Sequence, residues 1–228
     1  MTSGSKLALI TALATEQAAL ARNSAAESQV ILIRCGMGAA RAGQGLQTAL
    51  AEGVDSVVLM GFAAGLCDEA PPGRVVVPRQ ILYGQETLSV DADWQRQICD
   101  SLASMSPATD PLLCVDAPLL DRDAKAQCAS KAIACDMESA AIVAMAQAHG
   151  IPAAVVRIVL DGPKDIVPPL AVAMVDDDGS GRWPGWSQCL HPIQWWQLLQ
   201  LIPRFRLACS RLQAAGQQIV GDYGSNPA

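Results

Sequence analysis

The chain has 228 residues, 51% of them hydrophobic and 17% charged. That composition excludes general disorder and gives ample length for a large buried core. Sixteen Lys+Arg against 22 Asp+Glu leave a net charge of −6. An acidic balance argues against a nucleic-acid partner, which needs a basic surface.

In chain order, residues 7–12 are apolar and predict a first strand. The rival reading, over residues 7–14 after Lys6, is a short signal segment. The regular pattern that follows favours the strand. Thr15 caps a helix reaching about residue 25. Residues 30–33 form a β-branched run, followed by Gly36-Met37-Gly38 and a helix over 39–52. Residues 56–60 predict another buried strand, closed by a glycine turn at 61–65. Residues 75–77 and 81–83 predict a strand pair or one kinked strand. A helix over 94–105, a short strand over 112–115, a helix over 124–132 and a very short strand over 133–135 come next. Residues 137–149 predict a helix and 153–160 a strong strand. Residues 167–186, rich in Pro, Asp and Gly, predict an irregular connection. Residues 193–212 predict a helix interrupted at Pro203.

Strand, glycine turn, helix, repeated, is the pattern of a central sheet covered on both faces. Strands that are apolar throughout agree with burial on both sides. The expected architecture is one three-layer α/β/α domain over residues 1–228, with a mostly parallel mixed sheet. Residues 187–216 are an apolar helical extension of it. No run reaches the ~18 apolar residues a spanning helix needs. The expected location is the cytoplasm, with at most peripheral membrane contact.

The eight cysteines are Cys35, Cys67, Cys99, Cys114, Cys128, Cys135, Cys189 and Cys209. None forms C-x-x-C, and His149 and His191 are the only histidines. A zinc site and a Ser-His-Asp triad therefore have little support. Free thiols in a reducing compartment are expected.

In sheets of this kind, ligands sit outside the carboxyl ends of the strands. Glu16, Gly36-Met37-Gly38, residues 61–65 and Asp161 all fall there. Glu138 is spaced with Ala141, Ile142 and Met145 on the apolar face of its helix, where a carboxylate is costly unless something binds it. A helix-end Glu favoured by the dipole is the alternative. Asp161 reads either as a turn Asp or as an acid whose proton is retained by burial. Glu16 reads either as a first-turn helix stabiliser or as a base aimed into the crevice. The glycine turns allow close backbone approach, and their amides could cradle an anion or a water. Arg41 could add a positive charge there.

The combination is more specific than its parts. Cys135-Asp136-Met137-Glu138-Ser139-Ala140-Ala141, followed by Val156-Arg157-Ile158-Val159-Leu160-Asp161, resembles the purine nucleoside phosphorylase and nucleosidase superfamily. The segment from Gly61 to Leu66, followed by Gly73-Arg74-Val75-Val76-Val77-Pro78, resembles its G-x-A-G-G-L and G-D-I-V-V segments. Thr11 to Glu16 resembles the first turn of the methylthioadenosine/adenosylhomocysteine nucleosidase branch. Gly36-Met37-Gly38-Ala39-Ala40-Arg41-Ala42, Asp116-Ala117-Pro118, Val167-Pro168-Pro169-Leu170 and Asp176-Asp177-Asp178-Gly179 look most like the hopanoid-associated branch.

The resemblance implies a nucleoside phosphorylase-like fold and cleavage of an N-glycosidic bond, with adenine released from adenosylhopane. The alternatives are a methylthioadenosine/adenosylhomocysteine nucleosidase and a non-catalytic nucleoside-binding protein. It implies Asp161 as general acid toward purine N7. Glu138 would hold the ribose 2′-hydroxyl, and Met137 would lie against the sugar. Glu16 would orient the attacking water or the 3′-hydroxyl. Gly36, Gly38, Arg41, Gly61, Phe62, Ala63 and Leu119 would complete the substrate site. No metal or organic cofactor is implied, phosphate is a candidate co-substrate, and a homodimer is expected.

Several residues depart from the family pattern. Phe62 stands where many members have Ser, Ala64 replaces a Gly, and Leu160 replaces a Ser. Leu59 lies near a phosphate-binding Arg of phosphorylases, and Leu119 and Leu120 stand where a base-stacking aromatic is usual. Phosphorolysis and hydrolysis both remain open on this reading. The segment holding Ile193, Trp195, Trp196, Leu198, Leu199, Leu201, Ile202 and Phe205, with Arg204, Arg206 and Arg211, has the composition of an interfacial helix. Peripheral membrane contact through 193–212 is one expectation for it. Packing on the sheet or on a second subunit is the other.

Overall fold

The computed structural model describes residues 5–24, 29–183 and 192–225. Among them, nine strands form one sheet: β1 (Leu7–Thr11), β2 (Val30–Arg34), β3 (Ser56–Gly65), β4 (Val75–Val76), β5 (Gln80–Tyr83), β6 (Glu86–Ser89), β7 (Leu112–Cys114), β8 (Ala134–Asp136) and β9 (Ala153–Asp161). β1 pairs in parallel with β2 and β3, β3 with β9, and β7 with β5 and β8. Three pairs are antiparallel: β3 with β8, β4 with β9, and β5 with β6.

β3 organises the sheet. Its first half pairs with β1 and its last two residues pair with β8, while β9 runs along its other edge. The carboxyl ends of β1, β3, β8 and β9 therefore converge. Alternation along the strands splits the core in two. Ala8, Ile10, Val57, Leu59 and Val155 face one layer, with Leu46 of α2 (Ala39–Ala51) and Val143 of α5 (Ser139–His149). Leu7, Leu9, Val58, Met60 and Val156 face the other. There they meet Leu20 of α1 (Ala14–Ser24), Ile98 of α3 (Ala92–Ser101) and Leu212 of α7 (Pro192–Ser225). The expected three-layer α/β/α arrangement is what forms. Two short helices, α4 (Arg122–Cys128) and α6 (Pro169–Ala173), flank the carboxyl edge.

Several expectations change. Residues 75–77 and 81–83 form neither a strand pair nor one kinked strand: β4 pairs with β9, and β5 pairs with β6 and β7. The glycine turn expected at 61–65 is the second half of β3. Small residues are needed there because neighbours press on the strand: a Cβ at Gly65 would lie 2.2 Å from the Ala70 carbonyl oxygen. β6 carries no continuous apolar run, lies at the sheet edge with mostly exposed side chains, and was not anticipated. Glu138 does not ride on the face of its helix. α5 starts one residue later, and Glu138 is its N-cap residue. Finally, α7 continues through Pro203. A helical proline leaves the carbonyl four residues earlier without its donor. Here that residue is Leu199, 56% exposed, so water can replace the lost bond.

The seven cysteines among the described residues are free thiols, and Cys189 lies outside those residues. So do residues 187–191 of the expected extension. No helix among the described residues is long and apolar enough to cross a membrane.

Candidate active site

Glu16 sits in the first turn of α1 and is 2% exposed. Its Oε2 accepts the amides of Ala12 (3.0 Å) and Leu13 (2.8 Å). Its Oε1 accepts the amide of Phe62 on β3 (2.7 Å). One carboxylate thus ties the end of β1 and the start of α1 to the middle of β3. Glu16 thus stabilises the helix start and also lines the crevice. Burial raises its pKa to about 7, against the pull of the Arg157 guanidinium and the Leu13 and Phe62 amides, with the Glu138 charge adding to the rise.

Arg157 organises the carboxylates. It is fully buried on β9 beside Gly61 of β3. Its Nε donates to Asp136 Oδ2 at 2.8 Å, and its Nη2 donates to that same oxygen and to Glu138 Oε2 at 3.1 Å. Burial works against its charge, but Asp136, Glu138 and Glu16 together hold its pKa above the ordinary value. Gly61 makes this crossing possible: a Cβ there would lie 2.4 Å from Arg157 Nη1 and 2.6 Å from Glu16 Oε1. Gly61 is therefore a packing requirement rather than a ligand contact.

Asp136 also fixes Glu138. Its carboxylate accepts from the Ser139 amide (3.1 Å) and hydroxyl (2.6 Å), which starts α5 at Ser139. Glu138 is left to turn into the site, where its Oε1 accepts the Gly38 amide at 3.0 Å. Burial raises its pKa, Arg157 opposes this, and Asp136 adds to it.

Asp161 ends β9 and is 5% exposed. Its Oδ2 accepts from Nζ of Lys125, a fully buried residue of α4. Burial raises the Asp161 pKa, Lys125 opposes the rise, Asp165 adds to it, and Arg204 of α7 opposes it.

These groups line one cavity. Glu16, Phe62, Ala63, Met137, Glu138, Asp161 and Leu119 are all on its wall, as the sequence suggests. Val115, Pro118, Leu120 and Val167 add an apolar side next to Asp161. Gly36, Gly38, Gly61 and Arg41 do not line it. Two amides of the first glycine turn, those of Met37 and Gly38, are also taken. Gly38 donates to Glu138, and Met37 donates to the Asp177 carbonyl at 3.0 Å. The segment carrying Asp177 straps the two turns together, because the Ala14 amide donates to the Gly179 carbonyl at 2.8 Å. Gly179 has φ +77°, and a Cβ there would lie 2.0 Å from the Ala12 carbonyl oxygen, so only glycine fits. Leu59, near where phosphorylases place an Arg, is buried in the core.

Sequence reasoning missed Lys125 and gave Arg157 and Asp136 no role. A lone Arg in an apolar strand buried on both faces needs buried carboxylates, and that signal was present at residue 157. Among the described residues, no cluster of three or more His, Cys, Asp or Glu could hold a metal ion.

The sequence model of the phosphorylase superfamily matches residues 17–178, well over half of the chain. The chain belongs to the phosphorylase superfamily. No curated protein sequence matches it. Among solved structures it is similar to the futalosine hydrolase of Helicobacter pylori strain 26695, at 12% identity and TM-score 0.75, covering 97% of this chain and 100% of that one. It is also similar to a 5′-methylthioadenosine/S-adenosylhomocysteine nucleosidase from Streptococcus pneumoniae, at 18% identity and TM-score 0.66, covering 94% and 99%. A third likeness is to the Helicobacter pylori nucleosidase of that same name, at 13% identity and TM-score 0.68, covering 93% and 98%. At these identities the likeness concerns the fold, and the superfamily fold extends over the whole of each relative.

Proposed function

We propose that this phosphorylase-superfamily enzyme hydrolyses the N-glycosidic bond of an adenosine-type nucleoside, and that the nucleoside is adenosylhopane. The observation that carries hydrolysis is the seat of Glu16. An attacking phosphate needs donors, and the amides of Ala12, Leu13 and Phe62 already donate to the protein's own carboxylate. Met37 and Gly38 donate elsewhere within the protein. A second anion in this cradle would face the Glu16 charge with few donors left. Water meets neither obstacle.

The purine lies against Val115, Leu119 and Val167, with Asp161 at its N7 edge. Asp161 gives its proton to N7, so adenine leaves neutral as the C1′–N9 bond breaks. Positive charge develops on the sugar. With Asp161 carrying its proton, three buried carboxylates (Glu16, Asp136 and Glu138) surround and outnumber one buried cation, Arg157. That excess of acidic groups in a dry site favours the cationic transition state. Glu138 accepts the 2′-hydroxyl and Met137 covers the sugar. Glu16 takes a proton from the water that adds to C1′.

The lipid-linked 5′ group is supported by α7 and by the branch-specific motifs. Phe205 of α7 packs edge-on against Phe62 of the cavity wall, with ring centroids 5.7 Å apart. The same helix exposes Ile193 (71%), Trp196 (65%), Leu199 and Leu207. An apolar tail leaving the cavity past Phe62 meets this surface. The enzyme would work in the cytoplasm with this face against a membrane, and as a homodimer.

The second reading, a methylthioadenosine/adenosylhomocysteine nucleosidase, is favoured by the structural likeness to enzymes of that name. Adenine release from adenosylhopane and from methylthioadenosine, followed by chromatography, separates the two. Release from the lipid alone is expected, at a rate that added phosphate leaves unchanged. Release from methylthioadenosine alone would establish the second reading. Release from neither would leave nucleoside binding without catalysis.

A further inference from the structure

Lys125 is a buried lysine that the reaction as described does not use. It lies on α4 with no exposed surface, and a buried ammonium is costly unless every donor is satisfied. Here all three protons are engaged, and all three go to one short turn. Nζ donates to Asp161 Oδ2, to the Gly162 carbonyl at 2.9 Å and to the Asp165 carbonyl at 3.0 Å. The turn is held from within by the Gly162 amide, which donates to Asp165 Oδ2 at 2.8 Å. Arg204 of α7 pairs with Asp165 Oδ1 at 3.0 Å. Lys125 thus grips the carboxyl at the end of β9 and the turn that follows. With Oδ2 taken, Oδ1 is the oxygen left for a ligand.

We propose that Lys125 is a positioning residue for the general acid: it aims Asp161 Oδ1 at the leaving base and stabilises the carboxylate that Asp161 becomes. This rests on the hydrolase reading above. As the C1′–N9 bond breaks, its electron pair moves to the base. The O–H bond of Asp161 breaks and an N7–H bond forms. The new carboxylate then sits in a dry pocket with the ammonium already beside it, so no solvent need reorganise. A weaker partner would make Asp161 a poorer donor at the moment of transfer. The charged and titratable groups facing Asp161 are Lys125 from α4, Asp165 from its own turn, Arg204 from α7 and Cys135 from β8.

The test uses the full chain with Lys125→Met, which keeps the length of the stem, and Lys125→Gln, which keeps a donor without charge. Two substrates are compared. One is an adenine nucleoside that the wild type cleaves. The other is a nitrophenyl riboside, whose leaving group departs without a proton. Lys125→Met is expected to slow adenine release about 10- to 100-fold, part of the range for general-acid catalysis. The nitrophenyl rate should change less than about threefold. Lys125→Gln should fall between wild type and Lys125→Met on the adenine nucleoside. In parallel, carbon NMR of aspartate-labelled protein follows the Asp161 carboxyl, assigned with Asp161→Asn. Its titration should move to higher pH in Lys125→Met by about one unit or more.

An equal loss on both substrates, or an unmoved Asp161 titration in a folded variant, would overturn the role of Lys125 and leave the hydrolase reading standing. A wild type that cleaves no nucleoside would overturn that reading and the role with it, whatever the NMR shows. If Lys125→Met does not fold, the same comparisons on Lys125→Gln decide.

Discussion

Asp161→Asn is expected to lower adenine release by about 10²- to 10⁴-fold, the share of the rate that general-acid catalysis supplies, and to keep the fold. That range corresponds to about 3–5.5 kcal/mol of transition-state stabilisation. An amide cannot pass a proton to N7, so the base would have to leave as an anion. The Asn oxygen still accepts from Lys125, as the protonated acid does before the transfer, so the buried contact is kept. Circular dichroism at room temperature should therefore match the wild type. The kinetic loss should be confined to substrates whose leaving group needs a proton. An undiminished rate would remove Asp161 from its role.

Glu16→Gln has the second large effect. The carboxylate accepts three amides, and a Gln side chain must turn its NH2 toward at least one of them. It also cannot take a proton from water. The expected loss in turnover is about 10²- to 10³-fold, within the usual range for a lost base. The wild-type kcat/KM profile should carry an inflection near pH 7, because burial raises the pKa of Glu16 from the ordinary 4.5 to about 7. The residual activity of the variant should lack it. Stability should follow the same titration. With its pKa raised, folded Glu16 holds a proton that the unfolded chain has released. The stabilisation from that proton is complete below about pH 4.5 and is lost as the pH rises through 7. Urea unfolding of the wild type should thus weaken between pH 5 and 8, by an amount on the order of 3 kcal/mol for this group. The variant should show a flatter profile. A wild type equally stable and equally active across that range would contradict the assigned environment of Glu16.

Much of the site can be read in the sequence because its residues stand where strands end. Asp161 follows a run of apolar β-branched residues directly, and Glu16 follows β1 within one turn. The three-layer fold is legible because β3 and β9 are long, mostly apolar runs separated by helical patterns. Other features depend on contacts between distant segments. Lys125 lies among Asp121, Arg122 and Asp123, which read as a solvated helix start, and the 161–165 turn that buries it is remote in sequence. The partners of the glycine-turn amides, Asp177 and Glu138, lie about 100 residues or more away. Residues 61–65 read as a turn because small residues usually break strands. Here Gly61 lacks a side chain so that Arg157 and Glu16 can cross above the strand, and Gly65 so that the Ala70 carbonyl can approach. The continuation of α7 through Pro203 depends on exposure of the preceding turn, which local sequence does not reveal.

In the proposed reaction water, not phosphate, attacks the sugar. The most direct measurement is mass spectrometry of the sugar product from a cleaved adenine nucleoside, formed in ¹⁸O-labelled water with phosphate at saturating concentration. The expected product is a free reducing sugar labelled at C1′, with no sugar 1-phosphate. An unlabelled sugar 1-phosphate as the main product would contradict it, and would mean that phosphate displaces or bypasses Glu16 from the amides of Ala12, Leu13 and Phe62.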